Sequence, residues 1–161
     1  MLYIHRAITS MSVKKIINSG LNSSSELQEL AKNIKLTLKS VSSMYDIPKL
    51  TNGAHMILIH PEGTYSGHWV ALFLTPLKAY YFDSFGIPAP DQIKERLAEY
   101  AYDHKIADLP LMWNKNQIQK RNENHCGGFA LLFLKHMSGR GHNYDKKLQS
   151  FFSDYNIRNN G

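Results

Sequence analysis

The stretch NENHCGGFALLFLK, residues 122–135, carries the only cysteine of the 161-residue chain, set between a histidine and two glycines at the head of a strongly apolar run. A lone cysteine is most often a small buried hydrophobe. It counts as a nucleophile only when a base and an orienting group can be brought to it. GHWVALFLTPLKAYYFDSFG, residues 67–86, offers both. His68 opens one run of β-branched and aromatic residues, Asp83 nearly ends the next, and the short link at Pro76 between them reads as a hairpin turn. With the turn centred between Pro76 and Leu77, Leu74 faces Ala79, Leu72 faces Tyr81 and Val70 faces Asp83. His68 then shares a sheet face with Asp83 and lies diagonal to it, at a Cα spacing of roughly 7–8 Å. A register change of one residue would send the two to opposite faces.

These placements define a chemistry. A cysteine in the first turn of a buried helix sits where the helix dipole favours an anion, and a nearby imidazolium lowers the thiol pKa further. Cys126 would then be a thiolate nucleophile, His68 would take and return the proton, and Asp83 would hold the imidazole in its productive orientation and tautomer. Gly127 and Gly128 would leave room for a substrate backbone, although helix-start flexibility accounts equally well for either one. Acyl transfer also needs donors aimed at the developing oxyanion, which the Cys126 N–H and an upstream side-chain amide would provide. Gln117 and Gln119 are the candidates for that amide, and simple solvation is the competing account of each.

The elements that must position these residues are also readable. SSSELQELAKNIK opens with Ser23 three residues before Glu26, a capping-box spacing, and puts Leu27, Leu30, Ala31 and Ile34 on one helical face. AHMILIH (54–60) reads as a buried strand, WVALFLT (69–75) and AYYFDSF (79–85) as the hairpin. Asp91 is placed to cap a helix through Ile93, Leu97, Tyr100 and Ala101. LPLMW (109–113) is a further strand that Pro110 confines to an edge or a strand start. GGFALLFLKHM is apolar nearly all round and predicts a buried helix, and a weak helical pattern follows through Leu148, Phe151 and Phe152.

With 43% hydrophobic residues, the 161-residue chain suits a single domain, 1–161, ending in a basic C-terminal segment, 138–161. One cysteine leaves no intrachain disulfide and no multi-cysteine zinc site, and HMILIH and HMSGRGH lack a convincing metal-ligand set. No metal or cofactor is expected. Neither a signal-like start nor a run of ~20 apolar residues is present, so the expectation is a soluble protein that is not secreted by the usual route and has no membrane partner. The net charge of +6 is uneven: residues 1–60 hold seven Lys/Arg against three Asp/Glu, 61–110 four against seven, and 111–161 eight against three. Scattered basic residues serve solubility in the ordinary case, but basic flanks also suit a polyanion.

The order GHW, YYFDSFG, then IQ and a helix-opening CGG resembles the adenovirus-type maturation proteases, called adenain, within the ubiquitin-like-protease superfamily. The similarity is greatest to the proteases of virophages and of polinton-like and adintovirus-like elements, where counterparts of SELQELAKNIK and MYDIP precede the GHWVA strand. It runs from about residue 24 to residue 137, which the resemblance implies as the core of the domain. The resemblance implies an α+β, papain-like cysteine protease fold of this type, with the catalytic helix packed on a small mixed sheet. Residue by residue, it makes Cys126 the nucleophile, His68 the base, Asp83 the third member and Gln119, seven before the cysteine, the oxyanion amide. Cellular relatives usually place that glutamine six before, where this chain has Lys120. Trp69 matches the tryptophan that lines the narrow cleft, with a core role as the alternative. Two departures stand out: adenain has a glutamate at the position of Asp83, and it bonds an activating peptide through a second cysteine that this chain lacks.

By that resemblance the expected activity is a cysteine endopeptidase that cleaves viral capsid and structural precursor proteins near glycine and other small residues during virion maturation. It would work as a monomer in the virion and the infected host cell, in cytoplasm or nucleus, with non-specific DNA as an activator. The competing readings are a SUMO or ubiquitin-like deconjugating protease, an acyltransferase on the same scaffold, and a non-enzymatic basic DNA- or capsid-binding protein on a decayed protease fold.

Overall fold

Hydrophobic patterning sorts the chain into one sheet with helices on both faces. The computed structural model describes residues 23–64, 67–115, 117–118 and 125–160, the stretch 154–160 as backbone alone. Along the chain lie α1 (Ser24–Asn33), β1 (Leu38–Ser43), β2 (Gly53–Ile59), β3 (His68–Leu74), β4 (Ala79–Phe82), α2 (Asp91–Asp103), β5 (Leu111–Trp113), α3 (Cys126–Met137) and α4 (Tyr144–Asn160). The strands form one mixed sheet in the order β1-β2-β3-β4-β5, so the fold is α+β. The centre is an antiparallel meander, β2 to β4, while β1 and β5 pair in parallel at the two edges.

Alternation within the strands divides the core. Ala54, Met56, Trp69, Ala71, Phe73, Tyr80 and Phe82 face α1, α3 and α4. Ile57, Val70, Leu72, Leu74, Ala79 and Tyr81 face α2 and the 44–50 loop. α3, apolar on every side, fills the first layer: Phe129 through Leu134 are all buried, and Phe133 stacks on Phe82 at 4.9 Å between ring centroids. This burial fixes where its first residue, Cys126, must stand.

The hairpin register is the one implied by the sequence, with Leu74 opposite Ala79 and Leu72 opposite Tyr81. Thr75 closes the turn: its Oγ1 accepts from the Lys78 N–H at 3.0 Å and donates to the Lys78 carbonyl at 2.8 Å. The capping box of α1 is present, the Ser23 hydroxyl accepting from the Glu26 N–H and the Glu26 carboxylate from the Ser23 N–H. At α2 the expectation needs correcting. Pro90, not Asp91, takes the N-cap position, and no side chain bonds the first turn. Asp91 is instead the first helical residue, where its charge complements the positive end of the helix dipole.

Two elements differ in weight from their sequence signals. β1, LKSVSS, has no apolar alternation, and beside its parallel pairing with β2 it is held by side chains of β2 and of the residue after it. His55 donates from Nε2 to the Thr51 carbonyl at 2.7 Å and accepts at Nδ1 from the Ser40 hydroxyl at 2.7 Å. His60 likewise donates to the Pro61 carbonyl and accepts from Ser43. The basic segment after residue 137 is no loose tail through Phe151, which is fully buried in the α3 layer. Asp145 of α4 accepts from Lys78 Nζ at 2.6 Å and from the Tyr80 hydroxyl at 2.7 Å, docking the helix on β4. Lys147 Nζ donates to the Met137 and Gly139 carbonyls, satisfying the C-terminal end of α3.

Burial pushes His55 below its ordinary pKa of 6.5, and the Lys39 charge adds to the effect against the Thr51 carbonyl. Above pH 6.5 the ring is neutral folded or unfolded and adds no pH dependence. Below it, the unfolded chain binds a proton that the folded chain resists, so stability falls with falling pH, at most by about 1.4 kcal/mol per pH unit for one proton. The difference in urea unfolding stability between the parent and His55→Gln, followed from about pH 7 to pH 5, should show this slope, and a constant difference would remove His55 from the pH response.

Candidate active site

The site lies at the end of the sheet where β3 begins, β4 ends and α3 starts. Gly67 makes the approach possible. A Cβ there would collide with the Ile59 carbonyl oxygen and crowd His60, so only glycine lets the chain enter β3 tight against β2. His68 follows directly, paired with Ile59 as the first residue of the strand.

Asp83 comes one residue after β4 and is 4% exposed. The chain turns back there, with the Gly86 N–H donating to the Asp83 carbonyl at 2.8 Å and Gly86 at φ 72°, a left-handed conformation that suits glycine. Asn114, buried just beyond β5, binds both main-chain groups of Asp83: its Oδ1 accepts from the Asp83 N–H at 2.9 Å and its Nδ2 donates to the Asp83 carbonyl. One side-chain amide thus continues the β4–β5 ladder past the last strand residue. The Ile118 N–H donates to the Ser84 carbonyl at 2.9 Å, tying the segment after β5 to the same turn.

The three side chains meet as follows. His68 Nε2 donates to Asp83 Oδ1 at 2.7 Å, which leaves Nδ1 to bond the Cys126 thiol. Sγ also receives the Trp69 N–H at 3.4 Å and the Gly127 N–H. Phe85 donates its main-chain N–H to Asp83 Oδ1 at 2.8 Å, and its ring stacks on the imidazole with centroids 4.6 Å apart.

The electrostatics agree from both partners. Burial works against a charged His68, yet its hydrogen bonds to Asp83 and Cys126 and their negative charges outweigh burial and lift its pKa to about 9. Burial likewise raises the Cys126 thiol, but the His68 hydrogen bond and charge, with the Trp69 and Gly127 N–H groups, bring it below its usual value. Both shifts favour a thiolate–imidazolium pair. Such a pair is a nucleophile beside a proton donor, the starting point of covalent acyl transfer.

The structure therefore brings His68, Asp83 and Cys126 together. Trp69 divides its parts: the indole is buried in the core, and the main-chain N–H touches the sulfur. Gly127 and Gly128 are buried in the first turn of α3. Gln119 lies outside the described residues, and Gln117 is exposed. Three contributors were not singled out by their sequence: Gly67, Phe85 and Asn114. Gly67 had a usable signal, a glycine directly before the candidate base. Asn114 had none, because its role depends on β5 lying beside β4. Among the described residues no three His, Cys, Asp or Glu side chains gather as metal ligands. No protein-family model and no curated protein matches this chain.

Because Cys126 is the only thiol, its reactivity can be read without background. Iodoacetamide should modify it at pH values where an ordinary cysteine is still protonated, and His68→Ala should slow the reaction at neutral pH on the order of tenfold. Mass spectrometry of timed samples checks this, and equal rates in the two proteins would mean that the imidazole does not activate the thiol.

Proposed function

We propose that this chain is a cysteine endopeptidase with a papain-like, adenain-type arrangement, acting on structural precursor proteins of a virus. One observation carries the reading: His68 bridges a buried carboxylate and the chain's sole thiol, although Cys126 lies far along the chain from the β3–β4 hairpin. Buried polar groups can pair for stability alone. The lowered thiol pKa, the raised imidazole pKa and the helix-start position of the sulfur together favour chemistry.

In this reading the Cys126 thiolate attacks the scissile carbonyl carbon, and the electron pair of the C=O bond moves to oxygen. The Cys126 N–H, at the open end of α3, and the Gln119 amide would receive that oxyanion. Collapse of the intermediate breaks the C–N bond while His68 Nδ1 gives its proton to the leaving amine, leaving a thioester. A water molecule, giving one proton to the now neutral His68, attacks the thioester carbonyl, and breaking of the C–S bond releases the acid product and restores the thiolate beside the imidazolium. Asp83 keeps Nε2 protonated throughout, so that Nδ1 is the nitrogen that exchanges protons.

The basic residues support a polyanion partner. Exposed Lys32, Lys35, Lys39, Arg140 and Lys146 belong to the layer of α1, α3 and α4 or border it, against Glu26 and Glu29 on α1, whereas the opposite helix, α2, carries Asp91, Glu95, Glu99 and Asp103 against Lys94 and Arg96. Duplex DNA would meet the first layer through phosphates without base readout. Fluorescence anisotropy should then show binding that weakens with salt, at a slope of about −0.9 per phosphate contacted. Salt-independent affinity would remove DNA from the mechanism.

For the activity itself, Cys126→Ala should abolish cleavage of linear precursor polypeptides and leave the circular dichroism spectrum unchanged. Gln119→Ala should lower turnover by roughly 10² to 10³, with Gln117→Ala close to the parent. New N-termini identified by mass spectrometry provide the measurement. Cleavage confined to ubiquitin-like conjugates, with linear precursors untouched, would reassign the enzyme to deconjugation.

A further inference from the structure

We propose that Phe85 is a positioning residue for His68, holding the plane of the imidazole with its ring while its main-chain N–H holds the carboxylate oxygen that receives Nε2. The inference rests on the cysteine-protease reading and adds a residue to it. Its basis is that the Phe85 ring stacks on His68 at 4.6 Å with an interplanar angle of 26°, and that Asp83 Oδ1 accepts at once from Phe85 N at 2.8 Å and His68 Nε2 at 2.7 Å.

The two contacts restrain different motions. A hydrogen bond at Nε2 fixes the direction of one N–H bond but lets the ring swing about the line to the oxygen, which sweeps the Nδ1–H direction through an arc. Stacking opposes that swing, because tilting the imidazole out of plane loses contact across a whole face. His68 is the first residue of β3 and lies at the sheet's end, so the strand flanks it on one side only. The aromatic face also lies within the range at which a cation is attracted by the ring quadrupole, which favours the imidazolium over the neutral ring. The ionisable groups facing His68 are Asp83 from the turn after β4 and Cys126 from α3, and Phe85 leaves both in place.

A pH profile separates this role from general packing. The acid limb of kcat/KM for peptide hydrolysis reports formation of the thiolate beside the imidazolium, and the alkaline limb reports loss of the imidazolium that protonates the leaving amine, near pH 9 in the parent. Phe85→Leu, which keeps apolar volume and discards the aromatic face, should move the alkaline limb down by about half to one and a half pH units and leave the acid limb nearly unmoved. Peptide hydrolysis should lose kcat with KM near the parent value. Phe85→Tyr retains the face and should restore both readings. Should Phe85→Leu fail to fold by circular dichroism, Phe85→Met provides the same comparison. Parent-like alkaline limb and kcat in folded Phe85→Leu or Phe85→Met would overturn the proposal. That result is distinct from failure of the underlying reading, which would appear as equal alkylation of the parent and His68→Ala.

Discussion

The hydrogen bond from His68 Nε2 to Asp83 Oδ1 exists in only one register of the β3–β4 pair. Because side chains alternate along a strand, a slip by one residue would part the two groups and also turn Leu72 and Tyr81 out of one core and Trp69 and Phe82 out of the other. The apolar residues of both layers thus enforce the polar contact at the strand ends. Burial contributes the large free energy, and the buried carboxylate is tolerated because it receives donors from His68 and Phe85 while Asn114 satisfies its backbone.

The third side chain arrives by a different route. Cys126 is located by the packing of α3 against the sheet face opposite α2, and so by Phe129, Leu132, Phe133 and their neighbours. His68 and Asp83 follow the alternation of the strand residues that face α2, and the sulfur comes from the other layer. The three meet only because all stand at the end of the sheet, where β3 starts with Gly67 pressed against β2 and a side chain can reach around the strand terminus. The Trp69 N–H joins the layers, since the same residue sends its indole into the α3 core and its amide to the thiol.

Much of this was legible in the sequence, for reasons that differ by element. The hairpin could be read because two apolar runs with a short Pro76 link admit few registers, and α3 because an all-round apolar segment has to be interior. β1 was not legible: LKSVSS is polar by pattern, and what makes it a strand is parallel main-chain pairing with β2, reinforced by a pair of histidine–serine contacts with that strand and its end. The α2 start was misread by one residue, since aspartate is a common N-cap but proline, lacking its own N–H, also occurs at a helix entry. The clamp of Asn114 on Asp83 was invisible for a deeper reason. A side chain substituting for a strand's main chain carries no periodic signature, and only the parallel pairing of β5 with β4 gives it meaning.

The bond from the Phe85 N–H to Asp83 Oδ1 closes a small ring over the turn, of the kind called an Asx turn, whose size depends on a carboxylate one methylene from its own backbone. A glutamate carries its oxygens one carbon farther out. At position 83 it could match the charge, yet it could not close the same ring while presenting an oxygen to His68 from the same place. Acid length and turn shape are therefore linked: a chain with glutamate at this position has to build a different bend after its strand. The bend after β4 is in this sense set by the acid itself, a single side chain completing the turn that carries it.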